Sequence, residues 1–280
     1  MATTASGRGD RHGIGHERIG PAPFIAVDHS GAGAGELVLF MHGIGGNRTN
    51  WTAQVPVFGA RYHAVAWDAR GYGASDDYVG PLAFGDFGDD VLRVLDHFGA
   101  ERAHLIGLSM GGRIAMDVAG RYPGRVRSLI LVDTHMGFGD FSEADRQAFL
   151  DLRRKPLLEG HEPRDIAAPV ARSLLGPKAS EAHFRQLHDS LCALHKESYI
   201  KSIEATVLQD RFDHLEGIAA PTLVLAGADD RLTPPDMARR IAARIPGAEC
   251  AIIPDAGHLS NIEQPKIFNR RCLDFLSRLG

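Results

Sequence analysis

The chain is predicted to be an α/β protein: a mostly parallel, twisted sheet with helices on both faces and a helical block inserted late in the sheet. Three observations carry this. Short apolar runs at residues 37–41, 63–67, 103–106, 128–132, 221–226 and 250–253 show little polar alternation, as expected of strands buried on both faces. Helical periodicities separate them, such as Phe87, Val91, Val94, Leu95 and Phe98, or Ile114, Ala115, Val118 and Ala119. Strands and helices that alternate in this way build a parallel sheet through right-handed crossovers. From about residue 141 to 215 the alternation lapses, and the pattern there is helical.

The elements follow in order. Residues 1–20 are rich in Gly, Arg and His and lack an apolar stretch, so they read as a flexible tail and not as a secretory signal. Residues 24–27 form a strand ended by a glycine-rich turn. The strand at 37–41 runs into His42-Gly43-Ile44-Gly45-Gly46-Asn47. A short helix near residues 54–58 precedes the strand at 63–67, which ends in the glycine-punctuated turn 68–76. Asp86 is placed to cap the next helix, and Gly99 to stop it. After the strand at 103–106 comes a helix stopped by Pro123, then the strand at 128–132. Helices are expected near 143–155, 166–175, 179–194 and 198–207, punctuated by Pro156, Pro169 and Pro177. Two further strands, a helix carrying Met237, Ile241 and Ile245, and a closing helix from Ile267 to Leu279 complete the sheet. The expected division is a tail (1–20), a core (21–135 with 216–280) and a helical cap (136–215) lying over the strand ends.

Composition narrows the function classes. The chain has 280 residues, 44% of them hydrophobic and 24% charged, enough for one sizeable core with an inserted subdomain. The net charge of −4 and a pI near 6.4 point away from nucleic acid and anionic membranes. No apolar run reaches membrane-spanning length. Cys192, Cys250 and Cys272 have neither disulfide-like nor metal-like spacing, which suits a reducing, cytoplasmic compartment. A homodimer is compatible with the sequence, which does not specify an oligomeric state.

The chemistry centres on Gly107-Leu108-Ser109-Met110-Gly111, with Gly112 behind it. This G-x-S-x-G run lies between a predicted strand and a predicted helix, the setting of a nucleophile elbow. A serine hydroxyl needs a base, and the base needs an acid to fix its tautomer. His258 follows the last strand and can swing over Ser109. Asp230 follows the preceding strand; Asp229 beside it and Asp133 after an earlier strand are competing acids. Each follows a separate strand, and in such sheets ligands sit at the carboxyl ends. Two backbone N–H groups must meet the oxyanion, and Met110 and Ile44 are placed to supply them. His42 holds the turn that carries Ile44. Trp51, Arg48 and His135 are candidate substrate contacts, Trp51 reading slightly better as a core residue than as a pocket wall. The histidines show no metal-ligand spacing on one element, so no metal is expected.

With these residues in place, the chain resembles an α/β-hydrolase from about Phe24 to its end. Residues 42–46, 68–75, 107–112, 227–234 and 257–258 match that superfamily in order. The resemblance selects Asp230, three places before Thr233-Pro234, as the acid. More narrowly, Gly107 to Gly112, Thr233-Pro234-Pro235 and the run from His258 to Pro265 resemble 3-oxoadipate enol-lactonases. This implies a cofactor-independent serine hydrolase acting on a small ester or lactone. An enol-lactone bearing a carboxylate needs a cation in the pocket; Arg48, Arg113, Arg153, Arg154 and Arg172 are the candidates. Two other functions remain: hydrolysis of a carbon–carbon bond in a ring-cleavage diketone, and a ligand receptor on the same scaffold. Hydrolases with an aspartate nucleophile do not fit Ser109.

Overall fold

The structure is a computed structural model that describes residues 13–33, 35–208 and 214–279. Eight strands form one sheet: β1 (Gly15–Ile19), β2 (Ile25–Ser30), β3 (Leu37–Met41), β4 (His63–Trp67), β5 (Ala103–Leu108), β6 (Val126–Val132), β7 (Thr222–Gly227) and β8 (Glu249–Ile253). Their order is β1-β2-β4-β3-β5-β6-β7-β8. β1 and β2 pair antiparallel, and β2 joins β4 antiparallel. From β4 to β8 every pairing is parallel. Every residue of β3, β5 and β7 is buried, so both faces of the central sheet are covered.

Among the described residues, eleven α-helices accompany the sheet. They are α1 (Val55–Phe58), α2 (Gly85–His97), α3 (Met110–Arg121), α4 (Glu143–Arg153), α5 (Lys155–Leu158), α6 (Pro163–Leu174), α7 (Glu181–Cys192), α8 (Lys196–Leu208), α9 (Pro235–Arg244), α10 (Ser260–Glu263) and α11 (Pro265–Ser277). α3 packs on β3, β5 and β6 and against α2, while α9 packs on β7 and β8. α1 packs on β2 and β4, and the Asn269 amide on α11 donates to the Ala53 carbonyl just before it. None of these helices is long and apolar enough to cross a membrane.

The sequence reading needs correction at several edges. Residues 15–19, expected to be tail, form β1, because pairing with β2 satisfies their backbone and buries Ile19. Residues 1–12 of that expected tail lie outside the described residues. Asp86 does not cap α2 as an N-cap residue. The helix starts at Gly85, and the Asp86 carboxylate instead accepts from the Ala83 N–H. α6 begins at Pro163, where a proline suits the first turn, and α10 was not anticipated.

Helices α4 to α8 lie in sequence between β6 and β7. Their polar contacts go to loops that follow strand carboxyl ends. Gln186 donates to the Thr49 carbonyl after β3, Ser198 to Asp77 after β4, and the Leu174 carbonyl accepts from His258 N–H after β8. Below them, Arg113 on α3 donates to the Thr206 carbonyl on α8.

One of the tight backbone approaches in the core lies under the turn from β5 to α3. A Cβ added at Gly111 would collide with the Met41 carbonyl, and one at Gly107 with the Gly111 carbonyl. A Gly111→Ala substitution is therefore expected to cost about 2 kcal/mol or more. A lower urea midpoint at unchanged slope would report it; a wild-type midpoint would contradict the close approach.

Candidate active site

The parallel register brings five strand ends to one edge. β5 stops at Leu108, and Ser109 takes φ 53° and ψ −113°, a left-handed conformation that is costly for a residue with a Cβ. Neighbours hold it there. Ser109 N–H donates to the Val132 carbonyl at 2.8 Å, and the Thr134 hydroxyl donates to the Ser109 carbonyl at 2.7 Å. α3 then begins at Met110, so the partial positive charge of a helix N-terminus lies beneath the serine.

His258 and Asp230 meet at this edge. Nδ1 of His258 lies 2.9 Å from an Asp230 carboxylate oxygen. Asp230 also accepts from Leu232 N–H and Thr233 N–H, both at 2.9 Å, and from the Thr233 hydroxyl at 2.6 Å. Burial works to raise the Asp230 pKa, but the His258 charge and these donors hold it below the ordinary carboxylate value. Burial likewise works to lower the His258 pKa, and the Asp230 carboxylate overcomes this and holds it above the ordinary imidazole value. The contact with Asp230 places the imidazole proton on Nδ1 and leaves Nε2 as the free ring nitrogen. Ser109 and His258 line one cavity of about 20 Å³, close to the space one water needs.

The competing acids sit elsewhere. Asp133 accepts from Gly227 N–H, Ser260 N–H and the Ser260 hydroxyl, whereas the His258 ring nitrogen is met by Asp230. Burial, with the Asp230 charge adding to it, pushes Asp133 up to about 7. Asp229 is only half-buried.

Ile44 lines the cavity beside Ser109 and His258, and also a second, smaller cavity on the Met110 side of the serine. Its turn closes through a Gly46 N–H to Gly43 carbonyl bond of 2.9 Å. His42 clamps that turn: Nδ1 donates to the Gly43 carbonyl and Nε2 accepts from Ala69 N–H. That pattern requires a neutral ring, and burial pushes the His42 pKa down accordingly.

The expected substrate contacts divide. His135 lines the second cavity with Ser109, edge-on to Phe138 and Phe141. Burial and the Arg113 charge push its pKa well below the ordinary value. Trp51 does not line either cavity; it is fully buried between Phe40 and Phe268 as a core residue. Arg48 is also displaced from the site, because Asp28 and Asp68 bind its guanidinium from below the turn. Of the other cations, Arg113 serves Thr206, Arg154 pairs with Glu204 and Arg172 stacks on Phe184. Arg153 alone of the five lines the cavity of Ser109 and His258. No cluster of three or more potential metal-binding side chains occurs among the described residues.

Two supporting residues escaped the sequence reading. Thr233 was read only as part of a motif, yet it holds Asp230 through both N–H and hydroxyl. Glu263 is a buried carboxylate that accepts from Gly257 N–H at 3.0 Å and Gly176 N–H at 2.9 Å. It thereby ties the His258 loop to the segment after α6. Removing it as Glu263→Ala strands both N–H groups, at about 1–3 kcal/mol each. The expected result is a lower urea midpoint with faster amide exchange at Gly176 and Gly257. Unchanged exchange at both would show that the carboxylate does not hold them.

The sequence and fold have known counterparts. A family model described as the α/β hydrolase fold matches residues 36–265. The chain is 33% identical over 265 residues to a 2-hydroxy-6-oxononadienedioate/2-hydroxy-6-oxononatrienedioate hydrolase of Cupriavidus pinatubonensis, covering 90% of each chain. It is 30% identical over 250 residues to 3-oxoadipate enol-lactonase 2 of Acinetobacter baylyi, covering 88% of this chain and 91% of the other. The solved enol-lactonase of Burkholderia xenovorans LB400 superposes with a TM-score of 0.79 at 25% identity, over 91% of this chain and 96% of that one. By sequence, fold and the order of its strand-end residues, the chain belongs to the α/β-hydrolase family.

Proposed function

We propose that this protein is a serine hydrolase that cleaves a small carboxylic ester or lactone through an acyl-enzyme on Ser109. The observation that carries the reading is the Asp230–His258 contact of 2.9 Å beside a cavity that Ser109 shares. It fixes the tautomer that leaves Nε2 able to take the serine proton. The Ser109 oxygen attacks the carbonyl carbon, and the N–H groups of Ile44 and Met110 receive the oxyanion. His258 returns the proton to the leaving alkoxide. Water, deprotonated by His258, then attacks the acyl carbon and releases the acid. Helices α4 to α8, within residues 136–215, act as a cap that walls the acyl site. Relatives that hydrolyse small molecules support the class of reaction.

A second reading rests on the 33% identity to the 2-hydroxy-6-oxononadienedioate hydrolase: the same side chains acting on a carbon–carbon bond of a ring-cleavage diketone. Rates on a lactone panel against such a diketone separate the two.

Ser109→Ala is expected to lower the rate on 4-nitrophenyl acetate by about 10⁴-fold or more and to abolish labelling by a fluorophosphonate. Retained turnover would refute the reading.

The acid limb of kcat/KM follows from the His258 shift. Only the neutral imidazole can accept the serine proton, and Asp230 holds the pKa above 6.5. Activity is therefore lost as pH falls through a value above 6.5. Asp230→Asn removes the anion, so the limb moves to lower pH while the plateau drops by about 10⁴-fold. A limb that stays in place would remove Asp230 from this role.

A further inference from the structure

Asn50 is a buried amide beside the nucleophile. It lies in the 3₁₀ turn Arg48–Trp51, shortly after Ile44, and is only 4% exposed. It lines the cavity of Ser109 and His258 together with Gly43 and Gly46. Three of its four polar groups are committed within the protein. Its N–H donates to the Asn47 carbonyl at 3.0 Å, and its carbonyl accepts from the Asn261 side-chain amide at 2.9 Å. Its Oδ1 accepts from Asn47 N–H at 3.1 Å, a contact that only the oxygen end of the carboxamide can make. The other end, Nδ2, is buried and makes no hydrogen bond. A Cβ at Gly46 would stand 2.4 Å from Oδ1, so the glycine leaves the space in which this carboxamide sits.

A buried N–H without an acceptor is costly. The cavity that Asn50 borders, about 20 Å³, has room for about one water, and a water there needs at least two polar partners. Nδ2 is a donor. His258 supplies an acceptor, because Asp230 occupies its Nδ1 and leaves Nε2 free. The Gly43 carbonyl is already engaged by Gly46 N–H and His42 Nδ1. Reaction chemistry puts the water on this side. The leaving alkoxide takes its proton from Nε2 and the water gives one to the same nitrogen, so both oxygens meet the acyl carbon from one direction. The second cavity, on the Met110 side, is lined by Ser109 and not by His258, which leaves it to the acyl group.

We propose that the Asn50 Nδ2–H holds the water that hydrolyses the acyl-enzyme, with one hydrogen of that water on His258 Nε2. The inference rests on the hydrolase reading above and adds the residue that places its second nucleophile. The water oxygen bonds to the acyl carbon, its proton passes to Nε2, and the carbonyl π pair moves onto the oxyanion. Collapse breaks the bond to Ser109 Oγ, which takes the proton back from His258. Asn50 exchanges no proton. Departure of 4-nitrophenolate needs neither water nor a proton, so loss of the amide falls on the second step.

The test separates the two steps. During steady turnover of 4-nitrophenyl acetate, acid-quenched protein is weighed by mass spectrometry. The ratio of acetyl-enzyme to free enzyme equals the ratio of the acylation rate to the deacylation rate. The fraction that a fluorophosphonate labels counts the folded enzyme. Asn50→Ala is expected to keep acylation within about twofold and to slow deacylation by about 3- to 10-fold, the range one neutral hydrogen bond supplies. The acetylated ratio rises accordingly. Equal losses in both steps, as a purely structural role would give, or unchanged deacylation would overturn the proposal. A crystal structure of wild type needs no variant. A water within hydrogen-bond distance of both Asn50 Nδ2 and His258 Nε2 supports the proposal; Nδ2 bonded to a protein group, or no water meeting both atoms, overturns it. Wild type that releases no 4-nitrophenolate fails the hydrolase reading itself, and this inference falls with it. Equal deacylation in a turning-over wild type and variant sinks Asn50 alone.

Discussion

Register across the parallel strands is the constraint from which the site follows. Met41 pairs with Gly107, Leu108 with Val132, Val132 with Leu225 and Gly227 with Ile253. The strands therefore stop at nearly one level, and what each carries next arrives at the same edge: the Ile44 turn, Ser109, Asp133, Asp230 and His258. A one-residue slip in any pairing would turn that strand's side chains to the opposite face and move its loop. The largely apolar content of β3, β5 and β7 resists slippage only in concert with the close contacts beneath Ser109. There Gly111 lies against the Met41 carbonyl, so the register of β3 against β5 is read directly by the turn.

Much of this was legible in the residues. The glycine spacing around Ser109 and the apolar runs before each polar strand end identify the sheet and the edge. Asp230 and His258 could be named because each follows a recognisable strand. Glu263 could not. Its role depends on two N–H groups, at Gly176 and Gly257, that lie far apart in sequence, and a lone glutamate before Gln264-Pro265 has no pattern that announces them. Arg153 was one of five arginines, and only its place in the wall of the Ser109 cavity, with its guanidinium on the Phe149 ring of the same helix, distinguishes it. Trp51 shows the opposite failure. An aromatic close in sequence to the Ile44 turn suggests a pocket wall, but the short 3₁₀ turn at Arg48–Trp51 points it into the core. β1 was missed because its alternation, with only Ile19 fully buried, is that of an edge strand and is weak in a glycine-rich segment.

The site concentrates ionisable groups that water hardly reaches. Asp133, Asp230 and His258 are all buried, and Asp133 and Asp230 repel each other when both are charged. The fold separates their behaviour by the donors it gives each. Asp230 receives an imidazole, a hydroxyl and two N–H groups and stays ionised; Asp133 receives a hydroxyl and two N–H groups, feels the His258 charge without bonding to it, and is pushed up to about 7 by burial and the Asp230 charge. Two carboxylates on adjacent strands thus differ in charge state because Asp230 bonds to His258 and feels its charge most strongly, while burial and the Asp230 charge act on Asp133.

The Glu263 carboxylate has a mechanical consequence. One of its oxygens holds Gly257, next to His258, and the other holds Gly176, while the Leu174 carbonyl grips the His258 N–H at 2.8 Å. Leu174 also forms part of the partition in front of Ser109. The lip of this cavity and His258 are therefore tied to the same post. Swinging residues 174–176 outward to admit a molecule would tug on the imidazole, so under the proposed mechanism an open entrance and a poised base would not coexist, and hydrolysis would wait for the lip to close.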